Sequence, residues 1–389
     1  MCAPARRFLS LLCFLSLCPL ALLAAPAPSH AAPGVSVTAD AAILMDWRTG
    51  VVLYEKNAYR VRHPASLTKV LTAIVTLENC KIQDVVTVAP EAGRVPGSTV
   101  GLRSGQQFTV EDLLHCLLLA SGNDAACALA IHVAGSIPAF AEMMNQKARQ
   151  IGAINTHFAN PHGLDAPDHL TTAYDQGLIA RYALGIPFFG DTVATRVADV
   201  DRLDRDIVMR LSNTNALLSH FAGADGVKTG TTSGAGMSLI ASATRQDHKL
   251  VAVVMHSDAR WNDAARLLEY GFTNFALINP FKKGQVVRTV RVKGGELDRV
   301  ALVAGADLAV IVPRSAVDRV VISEPAGSVT APCMPGAPCQ EVGIWLDGQK
   351  MASIGLFARQ EVKRKTIFRL FYTRIVMPLV SLMLRSRLY

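Results

Sequence analysis

Three short polar clusters stand in chain order: Ser66-Leu67-Thr68-Lys69, Ser121-Gly122-Asn123 and Lys228-Thr229-Gly230. The first sets a serine and a lysine three residues apart at a helix start, so both side chains leave one face, about 5–6 Å apart at Cβ. That is a nucleophile beside a base. A serine hydroxyl attacks poorly until a neighbour takes its proton, and a lysine whose ammonium form is disfavoured can take it. A free lysine has a pKa near ~10.4, so about one in 2,500 is neutral at pH 7; a drop of about 3 pH units, worth about 4 kcal/mol, would poise it. Ser-x-x-Lys arises by chance about once in a chain of this length, and Lys-Thr-Gly in roughly one chain in ten. It is the joint occurrence that carries information.

The elements around these clusters are legible. Residues 41–46 and 51–56 read as two strands joined by Trp47-Arg48-Thr49-Gly50. A helix beginning near Ser66 follows, with Val70, Leu71, Ile74 and Leu77 as its apolar stripe. Residues 84–88 suggest a short strand and 90–105 a loop. Thr109-Val-Glu-Asp112 reads as a capping box opening a helix through Leu119, which stops at Ser121-Gly122-Asn123. Helices over 124–134, 137–151 and 172–184 come next, the last after the loop Asn160-Pro161-His162-Gly163-Leu164. Residues 199–210, rich in Asp and Arg, read as solvated surface. Lys228 then falls in a strand, 224–231, followed by strands 237–243 and 249–255 and a helix over 261–275. Strands first, helices between and strands last imply one α/β domain in which both ends of the segment share an antiparallel sheet beside a helical cluster. Beyond Asn279-Pro280, β-type runs at 286–292, 300–303, 308–312, 317–322, 342–346 and 351–356 imply a small all-β sandwich.

The chain of 389 residues thus divides into a leader (1–31), a catalytic domain (32–278), a β-sandwich domain (279–360) and a basic tail (361–389). Arg6 and Arg7 precede the apolar run 8–25, and Ser29-His30-Ala31 is a small-residue cleavage pattern, which places the mature chain outside the cytoplasm. Cys18, after the bulky Leu17, is the weaker option of a lipoprotein signal. Five cysteines remain beyond the leader: Cys116 and Cys127 read as buried apolar residues, while Cys333 and Cys339, flanking a Pro/Gly turn, could pair in an oxidising compartment. No metal is expected, because no histidine accompanies the latter two at ligand spacing.

The net charge of +8 is not a nucleic-acid signal. Residues 1–31 carry +2 and residues 359–389 carry +7, so the body between is close to neutral. No Gly-x-Ser-x-Gly elbow, His-Glu-x-x-His pair or phosphate loop offers a competing chemistry. His115 and His132 read as core histidines and His162 as structural.

The three clusters together resemble the low-molecular-weight penicillin-binding serine D-alanyl-D-alanine carboxypeptidases, a family for which this motif set is established. Leu53-Tyr54-Glu55-Lys56, Pro64-Ala65-Ser66, Asn160-Pro161-His162-Gly163-Leu164 and Asp225-Gly226-Val227-Lys228-Thr229-Gly230-Thr231-Thr232 share in the resemblance. It implies a cofactor-free transpeptidase-like fold and a substrate ending in D-Ala-D-Ala on a peptidoglycan stem peptide, with β-lactams as covalent inhibitors. Ser66 would be the nucleophile, Lys69 its base and Ser121 a proton relay. Asn123, Lys228, Thr229 and Thr231 would bind substrate, with the backbone N–H groups of Ser66 and Thr231 as the oxyanion hole. Arg260 resembles a family arginine for the substrate carboxylate, against the alternative of a surface arginine at a helix start. A β-lactamase-type hydrolase and a non-catalytic, membrane-bound wall-binding protein are the competing readings.

The tail places ten residues between Arg374 and Arg385, too few for the roughly 20 of a spanning helix. It reads as a basic amphipathic anchor at a membrane surface, with Ile367, Leu370, Phe371, Ile375, Leu379 and Leu382 toward lipid and Pro378 interrupting the helix.

Overall fold

A computed structural model describes residues 34–205, 207–365 and 375–380. The leader and the tail residues Ile367, Leu370, Phe371 and Leu382 lie outside the described residues.

The chain opens with β1 (Ala41–Asp46) and β2 (Val52–Lys56), an antiparallel pair that turns at Gly50, whose φ is +75°. Helix α1 (Lys69–Asn79) comes next. The expectation of an apolar stripe on it is too narrow: every residue from Lys69 to Thr76 is buried, so α1 is a central helix surrounded by protein. Short strands β3 (Val85–Thr87) and β4 (Gln107–Thr109) pair across the 88–106 loop and lead into α2 (Val110–Leu118). Both halves of the Thr109–Asp112 capping box are formed. Helices α3 (Asn123–Ala134) and α4 (Ile137–Ile151) each end on a left-handed glycine, Gly135 and Gly152, as helix stops favour. Helices α5 (Ala173–Ala183) and α6 (Pro187–Ala194) follow.

Residues 199–210 are largely solvated, as expected, but carry strands that the sequence reading did not give them. They fall in a hairpin of β5 (Val197–Arg202) and β6 (Ile207–Ser212), largely exposed but pinned to the helical core by Val200 and Leu211. Its charged residues hid a period-two pattern with only two buried anchors. After the single turn α7 (Leu217–His220), strands β7 (Ala224–Thr232), β8 (Gly236–Arg245) and β9 (His248–Met255) return to the first sheet, and α8 (Arg260–Asn274) closes the domain.

The sheet order is β2-β1-β9-β8-β7, antiparallel throughout, so the two ends of the segment do share one sheet, as expected. Strand periodicity sorts its two faces. Ile43, Met45, Val251 and Val253 join the helical cluster containing α1, α2 and α3, whereas Leu44, Leu250, Ala252 and Val254 pack on Leu267, Leu268 and Phe272 of α8. Helices on both faces leave β7 as an edge strand beside the helical layer, and the polar clusters meet along that edge.

The remainder is all-β, with its own core. Strand β10 (Phe275–Phe281) follows α8 without a break and pairs with β13 (Leu308–Pro313). A six-stranded sheet holds β11 (Val286–Lys293), β12 (Arg299–Ala304), β14 (Val320–Ile322), β15 (Ser328–Thr330), β16 (Gln340–Leu346) and β17 (Gln349–Ala358). Cys333 and Cys339 are free thiols, with Cys333 pushed up to about 11 by burial and by its neighbour Cys339. Residues 375–380 are helical through Pro378.

Candidate active site

Ser66 lies in a 3-10 turn, Ala65–Thr68, that runs directly into α1, so the α-helix begins at Lys69 and not at the serine. The turn is held from inside. The Thr68 hydroxyl donates to the Ala65 carbonyl at 2.8 Å and lies 2.8 Å from Nε2 of buried His169. His169 Nδ1 accepts from the Ala159 N–H, which assigns its proton to Nε2 and makes Thr68 the acceptor there. Burial holds His169 at about 4, so the ring stays neutral. Ala65, with φ +49°, takes the left-handed conformation that turns the chain into Ser66.

Lys69 is fully buried, and its Nζ meets three oxygens: Ser66 Oγ at 2.8 Å, Asn123 Oδ1 at 2.7 Å and the His162 carbonyl at 2.6 Å. Burial first, and then the charge of Lys228, push its pKa well below the ordinary lysine range. In the neutral amine two N–H bonds remain. The two carbonyl oxygens can only accept, so they claim both protons and the nitrogen lone pair is left facing the one partner that can donate, the Ser66 hydroxyl. In that form the Lys69 lone pair points at the Ser66 hydroxyl.

The acceptors are themselves fixed. Asn123 opens α3 and donates through Nδ2 to the Pro96 carbonyl at 2.7 Å, while its N–H donates to Ser98 O. Asp124 takes the N–H groups of Val100 and Leu102, tying the 96–102 loop to the same helix start. On the other side, the Asn160 side chain accepts from the Gly163 N–H and donates to Leu164 O. Gly163 has φ +94°, and a Cβ there would lie 1.9 Å from the Ala65 carbonyl oxygen. Only glycine lets the His162 carbonyl come this close. The His162 ring accepts from the Leu164 N–H, and burial with the Lys69 charge holds it at about 3, neutral.

Ser121 is 7% exposed and adopts φ +63° in the turn between α2 and α3, two residues before the asparagine that touches Lys69. Strand β7 forms the opposite wall. By strand alternation Lys228 and Gly230 share one face and Thr229 and Thr231 the other. A side chain at Gly230 would press within 3.2 Å of Pro64 O and Ala65 Cβ, so its absence lets the serine turn pack against the strand. Lys228 is fully buried, and among the described residues its Nζ hydrogen-bonds only to Thr229, at 3.2 Å to the carbonyl and 3.4 Å to the hydroxyl. Burial, then the Arg260 charge, lower it to about 7. Thr229 Oγ1 pairs with Thr214 Oγ1 at 2.9 Å. Arg260, the first residue of α8, reaches back to β7 through Nη1, donating to Thr231 Oγ1 at 2.8 Å and Gly230 O at 3.1 Å, so it is not merely a surface residue.

Of the eight residues singled out in the sequence, direct contacts join Ser66, Lys69 and Asn123 in one group and Lys228, Thr229, Thr231 and Arg260, through β7, in another. Sequence reasoning missed the Pro96 and His162 carbonyls, Thr214, and Asp165, whose carboxylate accepts from Thr232 Oγ1 and the Gly234 N–H to brace the β7–β8 turn. Backbone acceptors carry no residue signature. Asp165, next to Gly163-Leu164, was within reach of the loop already noted. His115 is half-buried and His132 exposed, so neither is a core histidine.

A D-alanyl-D-alanine carboxypeptidase profile matches residues 27–259, and a penicillin-binding protein 5 C-terminal domain profile matches residues 275–364. D-alanyl-D-alanine carboxypeptidase DacC of Escherichia coli K12 is 36% identical over 352 residues, 86% of each chain. DacF of Bacillus subtilis is 31% identical, over 84% of this chain and 86% of the relative. The crystal structure of penicillin-binding protein 5 from Haemophilus influenzae superposes with a TM-score of 0.71 at 31% identity, covering 86% of this chain and all of that one. Motifs, fold and these likenesses agree: the chain belongs to the D-alanyl-D-alanine carboxypeptidase family of serine peptidases, peptidase family S11.

Proposed function

We propose that Ser66 is the nucleophile and Lys69 its general base, in a reaction that removes the terminal D-alanine of a peptidoglycan stem peptide. The observation that carries this is the three-oxygen environment of Lys69 Nζ, in which Ser66 Oγ is the only partner able to donate. Ser66 Oγ bonds to the carbonyl carbon between the two D-alanines as its proton passes to Lys69. The oxyanion that forms is received by the N–H groups of Ser66 and Thr231, each such donor being worth about 3 kcal/mol. Lys69 returns the proton, through Ser121, to the departing amine, and the C–N bond breaks. Water then repeats the sequence on the acyl-enzyme, with Lys69 again as base.

The substrate lies along the free edge of β7, where a peptide can add as a further strand. Its carboxylate meets Lys228, Thr229, Thr231 and Arg260. Asn123 has one amide proton left beyond its bond to Pro96 O, available to the substrate amide. Intact-mass spectrometry after penicillin treatment tests the assignment. One adduct is expected on the wild type, on the peptide containing Ser66, and none on Ser66→Ala; an adduct of equal yield on Ser66→Ala overturns it. Release of D-alanine from a D-Ala-D-Ala peptide, measured beside penicillin turnover, separates a carboxypeptidase from a β-lactamase.

We place the protein at the outer face of the cytoplasmic membrane, attached peripherally through the tail. The leader pattern supports export, and the exposed Ile375, Met377, Leu379 and Val380, preceded in the sequence by Lys363, Arg364, Lys365, Arg369 and Arg374, support a lipid surface. The full mature chain should float with vesicles containing anionic lipid, and a chain ending at residue 360 should not.

A further inference from the structure

The catalytic helices α1 and α3 begin at the active site, with Lys69 and Asn123, and their far ends also meet. Cys80 is the residue that closes α1, Asp84 follows in the turn before β3, and His132 sits in the last turn of α3. One ligand atom from each of these three side chains lies within 4.8 Å of the other two, with Cys80 and Asp84 half-buried and His132 exposed. At about 1.5 Å per residue the cluster is about 16 Å along α1 from Lys69, so it is separate from the site described above. Its expected character was different: the sequence reading placed His132 in the core and foresaw no metal.

We propose that Cys80, Asp84 and His132 form a binding site for a divalent cation of the zinc class. A thiolate, a carboxylate and an imidazole are the mixed donor set that borderline-soft zinc accepts, and three protein ligands leave a fourth position for water. Tetrahedral coordination with zinc bonds of about 2.0–2.3 Å requires donor atoms about 3.4–3.6 Å apart. The three ligand atoms, within 4.8 Å of one another, would have to draw together on the ion, and neither the exposed His132 nor the half-buried Cys80 and Asp84 is locked in the core. The carboxylate is already oriented, because one of its oxygens accepts the Lys81 N–H at 2.9 Å while the Asp84 N–H donates to Lys81 O. His132 and the Cys80 thiol have no hydrogen-bond partner among the described residues that a metal would have to displace. A bound ion would join the C-terminal end of α1 to that of α3 and so fix the relative position of the helices that present Lys69 and Asn123.

The test uses the full mature chain, stripped of metal under reducing conditions and titrated with cobalt(II) and then zinc. Wild type is expected to take up one cobalt per chain with a thiolate-to-cobalt charge-transfer band, which one equivalent of zinc abolishes, and zinc should raise its Tm. Cys80→Ser should lose the band, Asp84→Asn and His132→Gln should weaken affinity by at least tenfold, and all three should keep the basal carboxypeptidase activity. Cys339→Ser, altering the other half-buried thiol, should leave the band intact. A band that survives Cys80→Ser, or an affinity unchanged in both Asp84→Asn and His132→Gln, overturns the proposal.

Discussion

Two buried lysines face each other across the active site, and they are partnered in opposite ways. Lys69 has an oxygen for every donor: Ser66 Oγ, Asn123 Oδ1 and the His162 carbonyl, all within 2.8 Å. Lys228 has, among the described residues, only its neighbour Thr229, at 3.2 and 3.4 Å. A lysine enclosed by three oxygens, two of which cannot donate, has its lone pair directed when neutral, the geometry on which the proposed role as a base rests. A lysine buried with its donors largely unused is a positive charge held ready for an anion. Burial lowers both pKa values, so the difference between them lies in geometry.

The largest effect that would break this contrast is at Lys69. Lys69→Met should slow acylation by about 10²–10⁴-fold, the usual worth of a general base, and should also lower Tm, because two buried oxygens, of Asn123 and His162, lose their partner at about 1–3 kcal/mol each. A stopped-flow penicillin acylation rate and a thermal melt measure the two consequences. Lys228→Met should slow the reaction of carboxylate-bearing substrates by a smaller factor, about 10²-fold, yet raise Tm, because a poorly paired buried charge is replaced by an apolar chain. A fall in Tm at both positions would remove the distinction.

The pH profile sharpens it further. Lys228 is charged below about 7 and neutral above, so its attraction for a carboxylate is present on the acid side and fades as pH rises through that value. Lys69 gains its base form in the same direction. The profile of kcat/KM should therefore carry an alkaline fall that belongs to Lys228, and Lys228→Arg, which keeps its charge, should move that fall to higher pH while leaving the acid limb in place.

Much of this was legible in the sequence because it is written in side chains. Ser66, Lys69, Asn123 and Lys228 announce themselves by type and spacing, and the sheet's two ends by alternating apolar residues. What escaped was written in the backbone. The His162 carbonyl completes the Lys69 environment whatever residue supplies it, and its position depends on Gly163 fitting against Ala65. The serine's place in a 3-10 turn depends on Thr68 and on His169, about a hundred residues away in the chain. The β5–β6 hairpin and β10 were missed for a related reason: two buried anchors are too few to show a period, and Asn279-Pro280 looked like a boundary where the strand continues.

The central claim is that Lys69, at the pH where the enzyme works, is a neutral amine aimed at Ser66. NMR of isotopically labelled lysine ε-carbons, titrated with pH and assigned by the signal that disappears in Lys69→Arg, measures this directly. The account predicts that this signal reaches the neutral-amine position at a pH well below that at which the surface lysines titrate. A Lys69 signal that stays at the ammonium position until it titrates with the surface lysines would contradict it.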